Sequence, residues 1–235
     1  MTIDWLTAKP IAHRGLHDLN RTRFENTLSA FDAAAKAGYA IECDVVLSAD
    51  GVPMVFHDLT LERLTTKTGA VIERTSIELK SLAIGGTADL IPTLAETLGV
   101  VAGRVPIIIE LKGHDESDVR LVAAVAKALS NYDGNAAIMS FDHWLIRRFP
   151  HDAPGVPAGL TAEGVSRISL EQHFSMLGAN LSFVSYNVHH LPNAFVDFCR
   201  KKVSLPIITW TVRDAAAVAL SQAHADQMTF EGFAP

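Results

Sequence analysis

The stretch Pro10-Ile-Ala-His-Arg-Gly15 introduces the pattern on which the chain is built, because a short apolar strand leads a histidine and an arginine straight into a glycine turn. Asp, Glu and Lys side chains are almost never fully buried unless they are paired or bound to a metal. Apolar strands that end in ionisable side chains therefore indicate a functional site. Three later stretches share this feature: Ile41-Glu42-Cys43-Asp44-Val45, Val55-Phe56-His57-Asp58 and Ile107-Ile108-Ile109-Glu110-Leu111-Lys112.

Strands and helices alternate along most of the chain. After the first strand, we predict strands at 40–47, 53–56, 105–111, 136–140, 156–160, 183–186, 206–211 and 227–230. We predict helices from a cap at Asn26 or Thr27 to Gly38, and at 94–102, 116–130, 142–149, 169–178, 192–202 (with Pro192 in the first turn) and 214–223. About eight strands, most followed by a helix, predict a (β/α)8 TIM barrel with a small insertion after the second strand, at about 58–90. A doubly wound sheet is the alternative, although no G-x-G-x-x-G follows the first strand.

Length and composition favour one soluble domain, residues 1–235. The chain is 49% hydrophobic and 20% charged, and its net charge of −6 argues against nucleic acid as a partner. No signal peptide or transmembrane segment is apparent, and Cys43 and Cys199 are predicted to be reduced, buried thiols, so we expect a cytoplasmic protein. The oligomeric state is not indicated. Four histidines in polar or helical contexts are predicted to lie at the surface: His143, His151, His173 and His224.

Two acids on the second strand suggest a metal site. Glu42 and Asp44 are two residues apart, so both side chains point to the same face of the strand. Two close carboxylates cannot both stay ionised without a cation. Glu110 at the end of a later strand could add a third oxygen, and ligation by oxygen alone suits Mg²⁺ or Ca²⁺. The alternative is an ion-pair network of these acids with Arg14 and Lys112.

Two histidines suggest what the site does. The Asp50-Gly51 pair is a strong hairpin signal, and such a hairpin would bring His57 back beside the acids. His13 and His57 have unperturbed pKa values near neutrality, so one could take a proton and the other give one. With Arg14 and Lys112 as anion clamps, this set is typical of phosphoryl chemistry.

Motifs along nearly the whole chain resemble those of the glycerophosphodiester phosphodiesterases, within the barrel phosphodiesterases that include the phosphatidylinositol-specific phospholipases C. The matching motifs are His13-Arg14-Gly15, Glu25-Asn26-Thr27, Glu42-x-Asp44, Asp50-Gly51, His57-Asp58, Arg63 with Thr65 and Gly69, Ile91-Pro-x-Leu94, Glu110-x-Lys112, Ser140-Phe141-Asp142 and Trp210-Thr-Val212. One stretch departs from the pattern. The family usually ends in Asp-Gly-Ile-Ile-Thr-Asp-x-Pro, whereas this chain has Asp226-Gln-Met-Thr-Phe-Glu231-Gly-Phe.

The resemblance implies a role for each matching residue. It implies that Glu42, Asp44 and Glu110 hold one divalent cation and that His13 and His57 are the catalytic acid/base pair. It also implies that Arg14, Lys112 and Trp210 contact the substrate, although Trp210 could instead be a core residue. Glu25 and Asn26 would brace the site.

The activity implied is hydrolysis of a small-molecule glycerophosphodiester to glycerol 3-phosphate and an alcohol, through a cyclic phosphate. The first alternative is a lysophospholipase D-like or sphingomyelinase D-like enzyme on the same fold, which would need a place for an acyl chain. Two less favoured alternatives are a metal-dependent barrel aldolase or lyase and a non-catalytic module that binds phosphate esters.

Overall fold

A closed barrel of parallel strands forms the centre of the molecule, in a computed structural model that describes residues 3–115 and 119–235. The barrel strands are β1 (Ile11–Ala12), β2 (Ala40–Leu47), β4 (Ile107–Leu111), β5 (Ala136–Ser140), β6 (Ala158–Ala162), β7 (Phe183–Asn187), β8 (Ile207–Val212) and β9 (Gln227–Phe230). Closure comes from β1, which pairs in parallel with both β2 and β9. This confirms the predicted barrel and rules out a doubly wound sheet.

Helices follow most of these strands, and all but the second helix cover the outside of the barrel. They are α1 (Leu28–Ala37), α2 (Ser76–Leu79), α3 (Leu94–Val101), α4 (Arg120–Leu129), α5 (His143–Asp152), α6 (Arg167–Ser175), α7 (Ala194–Phe198) and α8 (Ala215–His224). The predicted start of α4 at 116–118 lies outside the described residues. None of the helices described is both long and apolar enough to cross a membrane.

Local chemistry explains where the first helix begins and ends. The Thr27 side chain accepts a hydrogen bond from the Ala30 N–H, which caps the start of α1. Gly38 ends the helix with a φ of 78°, a left-handed conformation that glycine adopts without strain. Both signals were readable in the sequence.

The prediction for the seventh helix was wrong at its start. Asn193 is the cap of α7, where its side chain accepts a hydrogen bond from the Val196 N–H. Pro192 therefore precedes the cap and does not lie in the first turn. The helix continues into a π-helical turn at Cys199–Val203, which accounts for its predicted length.

A hairpin and the predicted insertion follow the second strand. Strand β3 (Pro53–Val55) runs antiparallel to β2, and the turn at Gly51 has a φ of 78°. Residues 58–90 contain α2 and a 3-10 turn at Val71–Glu73. Their apolar side chains, including Leu61 and Ile84, form a cluster of their own with β3 and the end of β2.

Alternation along the strands divides the core into two layers. Inward residues such as Ile108 and Phe183 fill the barrel, while outward residues such as Cys43 and Tyr186 pack under the helices. Both cysteines are free and buried, as predicted.

The prediction that His173 lies at the surface was wrong. Its side chain is only 7% exposed, because α6 turns it inward against Tyr186 and Phe195.

Candidate active site

The eight side chains predicted to form the site all line one pocket of about 210 Å³ at the carboxyl ends of the barrel strands. These ends meet at one rim because the strands are parallel and closed into a ring. The structure therefore brings together every predicted site residue: His13, Arg14, Glu42, Asp44, His57, Glu110, Lys112 and Trp210.

The turn after β1 has an unusual backbone that serves the site. Arg14 has a φ of 54°, a left-handed conformation that is uncommon for a residue other than glycine. This turn aims its N–H at Glu42 Oε2, 2.9 Å away. Gly15 follows with a φ of 83°, and a Cβ there would lie only 2.9 Å from the Cβ of Ala30. Glycine is therefore required next to the arginine.

Three acids form a compact cluster, which we call the acidic triad: Glu42, Asp44 and Glu110. All three are buried, and one carboxylate oxygen from each lies within 4.8 Å of the others. Asp44 and Glu110 are Cα partners on β2 and β4, so they project side by side. Lys112 Nζ contacts the Glu110 carboxylate and lies 3.2 Å from Asp44 Oδ1.

The acids of the triad differ in their electrostatics. Burial raises the pKa of Glu42 well above its ordinary value, and the charges of Asp44 and Glu110 raise it further. Burial also raises the pKa of Glu110, to about 7, despite the opposing charge of Lys112. Burial alone would raise the pKa of Asp44, but the charges of Lys112 and Arg14 hold it well below its usual range. The cationic side chains thus compensate the charge of Asp44 most fully, whereas burial keeps the pKa values of Glu42 and Glu110 raised.

The triad fits a divalent cation. Its donors are oxygen atoms alone, which suits Mg²⁺ or Ca²⁺, and a cation would relieve the mutual repulsion of the acids. The alternative ion-pair network is also formed in part, because Arg14 Nε lies 3.1 Å from Asp44 Oδ2. Lys112 and Arg14 contact Asp44, whereas the raised pKa of Glu42 comes from burial without a full counter-charge.

Residues from the Glu25-Asn26 motif brace the first loop. Glu25 Oε1 accepts hydrogen bonds from Arg14 Nη1 at 2.7 Å and from Arg63 Nη2 at 2.8 Å. Asn26 Nδ2 donates to Asp44 Oδ2 at 2.9 Å, and the Asp44 N–H donates to Asn26 Oδ1. These contacts hold Arg14 and Asp44 in place.

Each histidine of the pocket is held by a carboxylate that an arginine also contacts. His57 Nδ1 donates to Asp58 Oδ1 at 2.6 Å, and Arg63 Nε donates to Asp58 Oδ2 at 2.6 Å. Burial lowers the pKa of His57, against the raising effect of Asp44. With Nδ1 engaged as a donor, Nε2 of the neutral ring is the atom that can accept a proton.

Glu231 holds the other histidine, and the sequence analysis missed this role. His13 Nδ1 donates to Glu231 Oε2 at 2.6 Å, and Arg213 Nη2 donates to the same oxygen at 3.2 Å. Burial alone would raise the pKa of Glu231, but hydrogen bonds from His13 and Arg213 lower it to about 2. Burial lowers the pKa of His13, and Glu231 opposes that change. The sequence did contain a signal for this role. In the last strand, Glu231 occupies the position of the second Asp in the ending that is usual for the family.

Trp210 lines the pocket from β8 and is half-buried. Its indole Nε1 donates to the Ser185 carbonyl at 3.3 Å, and its ring meets Phe141 edge to face at 5.2 Å. Both aromatic rings line the pocket, and Lys112 Nζ lies 5.6 Å from the centre of the Phe141 ring. The two rings thus form an apolar wall beside the charged residues.

Comparison with known proteins places this site in context. The model of the glycerophosphoryl diester phosphodiesterase family matches residues 13–232. The protein YhdW of Bacillus subtilis is 32% identical to this chain over 225 residues. The match covers 91% of this chain and 89% of that protein, whose name gives glycerophosphodiester phosphodiesterase as a provisional activity.

Solved structures show the same fold. A phosphodiesterase of Oleispira antarctica, solved with the product sn-glycerol-3-phosphate, is 24% identical and superposes with a TM-score of 0.82, covering 94% of this chain and 92% of that one. A glycerophosphodiester phosphodiesterase of Agrobacterium tumefaciens is 28% identical, with a TM-score of 0.74 and coverage of 94% and 95%.

Proposed function

The chain belongs to the glycerophosphoryl diester phosphodiesterase family and is an enzyme of that class, and we propose that it hydrolyses glycerophosphodiesters to glycerol 3-phosphate and an alcohol with the help of a divalent cation. One observation supports this most strongly. A single pocket combines the acidic triad, two cationic side chains and two histidines that are each oriented by a carboxylate. These are the groups that phosphodiester cleavage requires.

The acidic triad would hold the cation, with Glu42, Asp44 and Glu110 as its ligands. A cation bound there would neutralise phosphate charge and lower the pKa of a coordinated hydroxyl. Arg14 and Lys112 lie beside the triad, so they are placed to meet the negative charge that grows on the phosphate during the reaction.

The two histidines move the protons. One Nε2 removes the proton from the 2-hydroxyl of the glycerol moiety, which attacks the phosphorus, and the other histidine protonates the departing alcohol. Water then opens the resulting cyclic phosphate with the two roles exchanged. Asp58 and Glu231 keep each ring in the tautomer with Nδ1 protonated, so that Nε2 is available to the substrate.

A product analysis tests the function. The purified protein is incubated with glycerophosphocholine, glycerophosphoethanolamine and lysophosphatidylcholine, with and without chelator, and the products are identified. We expect glycerol 3-phosphate from the first two substrates only when the cation is present. An unchanged rate in excess chelator would refute the metal dependence.

Substrate and enzyme variants test the mechanism. His13→Ala and His57→Ala should each lower kcat by about a hundredfold or more. A substrate with hydrogen in place of the glycerol 2-hydroxyl should bind without being cleaved. Rapid hydrolysis of that analogue would mean that water attacks directly.

The pocket gives little support to an enzyme that needs an acyl chain. An apolar crevice does border Lys112, between Leu59 and Leu121, but its volume of about 10 Å³ is roughly the room of one water molecule. A lysophospholipase D-like activity would appear in the same assay as choline release from lysophosphatidylcholine.

We also propose a cytoplasmic location. The two free, buried cysteines support a reducing compartment. Cell fractionation with an antibody against the protein would test it.

A further inference from the structure

The acid at the start of α5 does not cap its own helix. Asp142 stands at the N-cap position with an extended backbone, but among the residues that the structure describes its side chain accepts no capping hydrogen bond from α5. At the same position of α7 and α8, the side chains of Asn193 and Asp214 do cap their helices. A side chain at this position normally stabilises its helix, so an acid that bonds elsewhere indicates another task.

Asp142 instead holds the loop that follows β4. Its Oδ2 accepts a hydrogen bond from the Gly113 N–H at 2.8 Å. The close approach needs glycine, because a Cβ at position 113 would collide with the Trp144 ring and would lie 2.8 Å from Asp142 Oδ2. The first turn of α5 therefore packs directly on the backbone of this loop.

Ser140, two residues earlier, holds the other side of the same loop. Its buried Oγ donates to the Leu111 carbonyl at 2.7 Å and accepts a hydrogen bond from the Asp142 N–H at 3.0 Å. The ladder between β4 and β5 ends at the pair Glu110–Met139, so the β4 backbone beyond it needs other partners. Ser140 and Asp142 supply them on the β5 side.

The residue between these two anchored positions is Lys112. Leu111 and Gly113 flank it, and its own N–H donates to the Val45 carbonyl of β2 at 2.9 Å. Its Nζ lies 3.2 Å from Asp44 Oδ1 of the acidic triad. Because a lysine carries its charge on a flexible four-carbon stem, the place of that charge depends on a fixed backbone.

The side chain of Phe141, between Ser140 and Asp142, lies near the ammonium group itself. Its ring centre is 5.6 Å from Lys112 Nζ, which is within the range of a cation–π contact. The stretch Ser140-Phe141-Asp142 thus contacts Lys112 or its two neighbours at three points. This stretch is one of the motifs from the sequence to which the proposed mechanism gives no role.

We propose that Ser140 and Asp142 are positioning residues, which fix the backbone of Lys112 so that its ammonium group meets the phosphate. This inference rests on the proposed function, because that function gives Lys112 its contact with phosphate. Neither positioning residue touches the substrate, so both act on the reaction through Lys112 alone.

A double-mutant cycle with Lys112 tests the inference, with hydrolysis of glycerophosphocholine at saturating cation as the assay. A hydrogen bond to a charged acceptor is worth about tenfold or more, so Asp142→Ala should lower kcat/KM by about tenfold. In a Lys112→Ala background the same substitution should cost less than about twofold, because no ammonium group is left to position. Asp142→Asn keeps an acceptor oxygen and should recover most of the loss. Ser140→Ala should lower kcat/KM with the same dependence on Lys112.

Two further variants separate positioning from stability. Asn193→Ala is the matched control, because it removes a side chain that does cap its helix and lies away from the pocket. It should lower the melting temperature and leave kcat/KM at the wild-type value. Gly113→Ala leaves Asp142 in place but forces α5 away from the loop, so it should lower kcat/KM as Asp142→Ala does.

Binding of inorganic phosphate, followed by the rise in melting temperature, needs no hydrolysis. Asp142→Ala and Lys112→Ala should both bind phosphate more weakly, and the double variant should bind it as weakly as Lys112→Ala alone. The inference is overturned if Asp142→Ala keeps the wild-type rate and phosphate affinity, or if its loss is as large without Lys112 as with it. A wild type that leaves glycerophosphocholine intact but binds phosphate with the expected pattern would refute the proposed function and support the positioning role.

Discussion

Replacing Glu231 with glutamine removes the charge that orients His13 while nearly preserving the shape of the side chain. The two groups are 2.6 Å apart, and their side chains are only 13% and 12% exposed, so water replaces the contact poorly. A hydrogen bond to a charged group contributes about 1.5–3 kcal/mol. If that free energy holds the imidazole in its productive tautomer and orientation, its loss lowers kcat about 10- to 200-fold, at about 1.4 kcal/mol per factor of ten.

The assay is steady-state hydrolysis of glycerophosphocholine with saturating cation, with kcat and KM determined separately. Glu231→Gln should change KM by less than about threefold, because Glu231 acts through His13 and makes no contact with substrate in the proposed mechanism. Glu231→Asp keeps the charge and should recover part of kcat.

Arg213→Gln provides the graded comparison. Arg213 is 57% exposed, and its ion pair with Glu231 is therefore expected to contribute under about 1 kcal/mol, so the loss in kcat should be smaller than for Glu231→Gln. A Glu231→Gln enzyme with wild-type kcat, or with only KM raised, would refute the positioning role.

Three further predictions follow from the site and from the buried histidine. At a hundred times its dissociation constant, the cation should stabilise the fold by about 2.7 kcal/mol and raise the melting temperature by about 5–10 °C; Asp44→Asn should abolish the rise, and a rise that persists would place the ion elsewhere. Burial, with a smaller contribution from the charge of His143, lowers the pKa of His173 to about 4, so the unfolded chain binds a proton more readily between that pH and about 6.5. Stability should therefore fall by up to about 3 kcal/mol as the pH falls through this window, and urea unfolding of the wild type and His173→Gln should show that the variant lacks this part of the slope. Substrates with choline, ethanolamine or glycerol as the leaving group should differ by less than about a thousandfold in kcat/KM, or roughly 4 kcal/mol, because the proposed binding residues contact the glycerol phosphate half of the substrate. A larger preference would reveal a head-group subsite.

Much of the fold could be predicted because it depends on local patterns. The caps at Thr27 and Gly38 mark both ends of α1, and the Asp50-Gly51 turn produces the β2–β3 hairpin. The start of α7 was placed wrongly because a proline is tolerated both in the first turn and before the cap. The inward turn of His173 was missed because the polar residues around it in α6 gave no apolar stripe.

The sequence by itself determined which chemical groups the protein has and where along each strand they stand. Strand alternation placed Glu42 and Asp44 on one face, and parallel strand ends placed both with Glu110 at one rim. These inferences depend on short-range periodicity, which a single chain displays directly.

Only the tertiary structure decided which distant residues meet. Glu231 lies 218 positions from His13, and the two touch because β9 closes the barrel against β1. Closure of the ring fixes this contact, and no local sequence pattern shows which distant residues the closure will bring together.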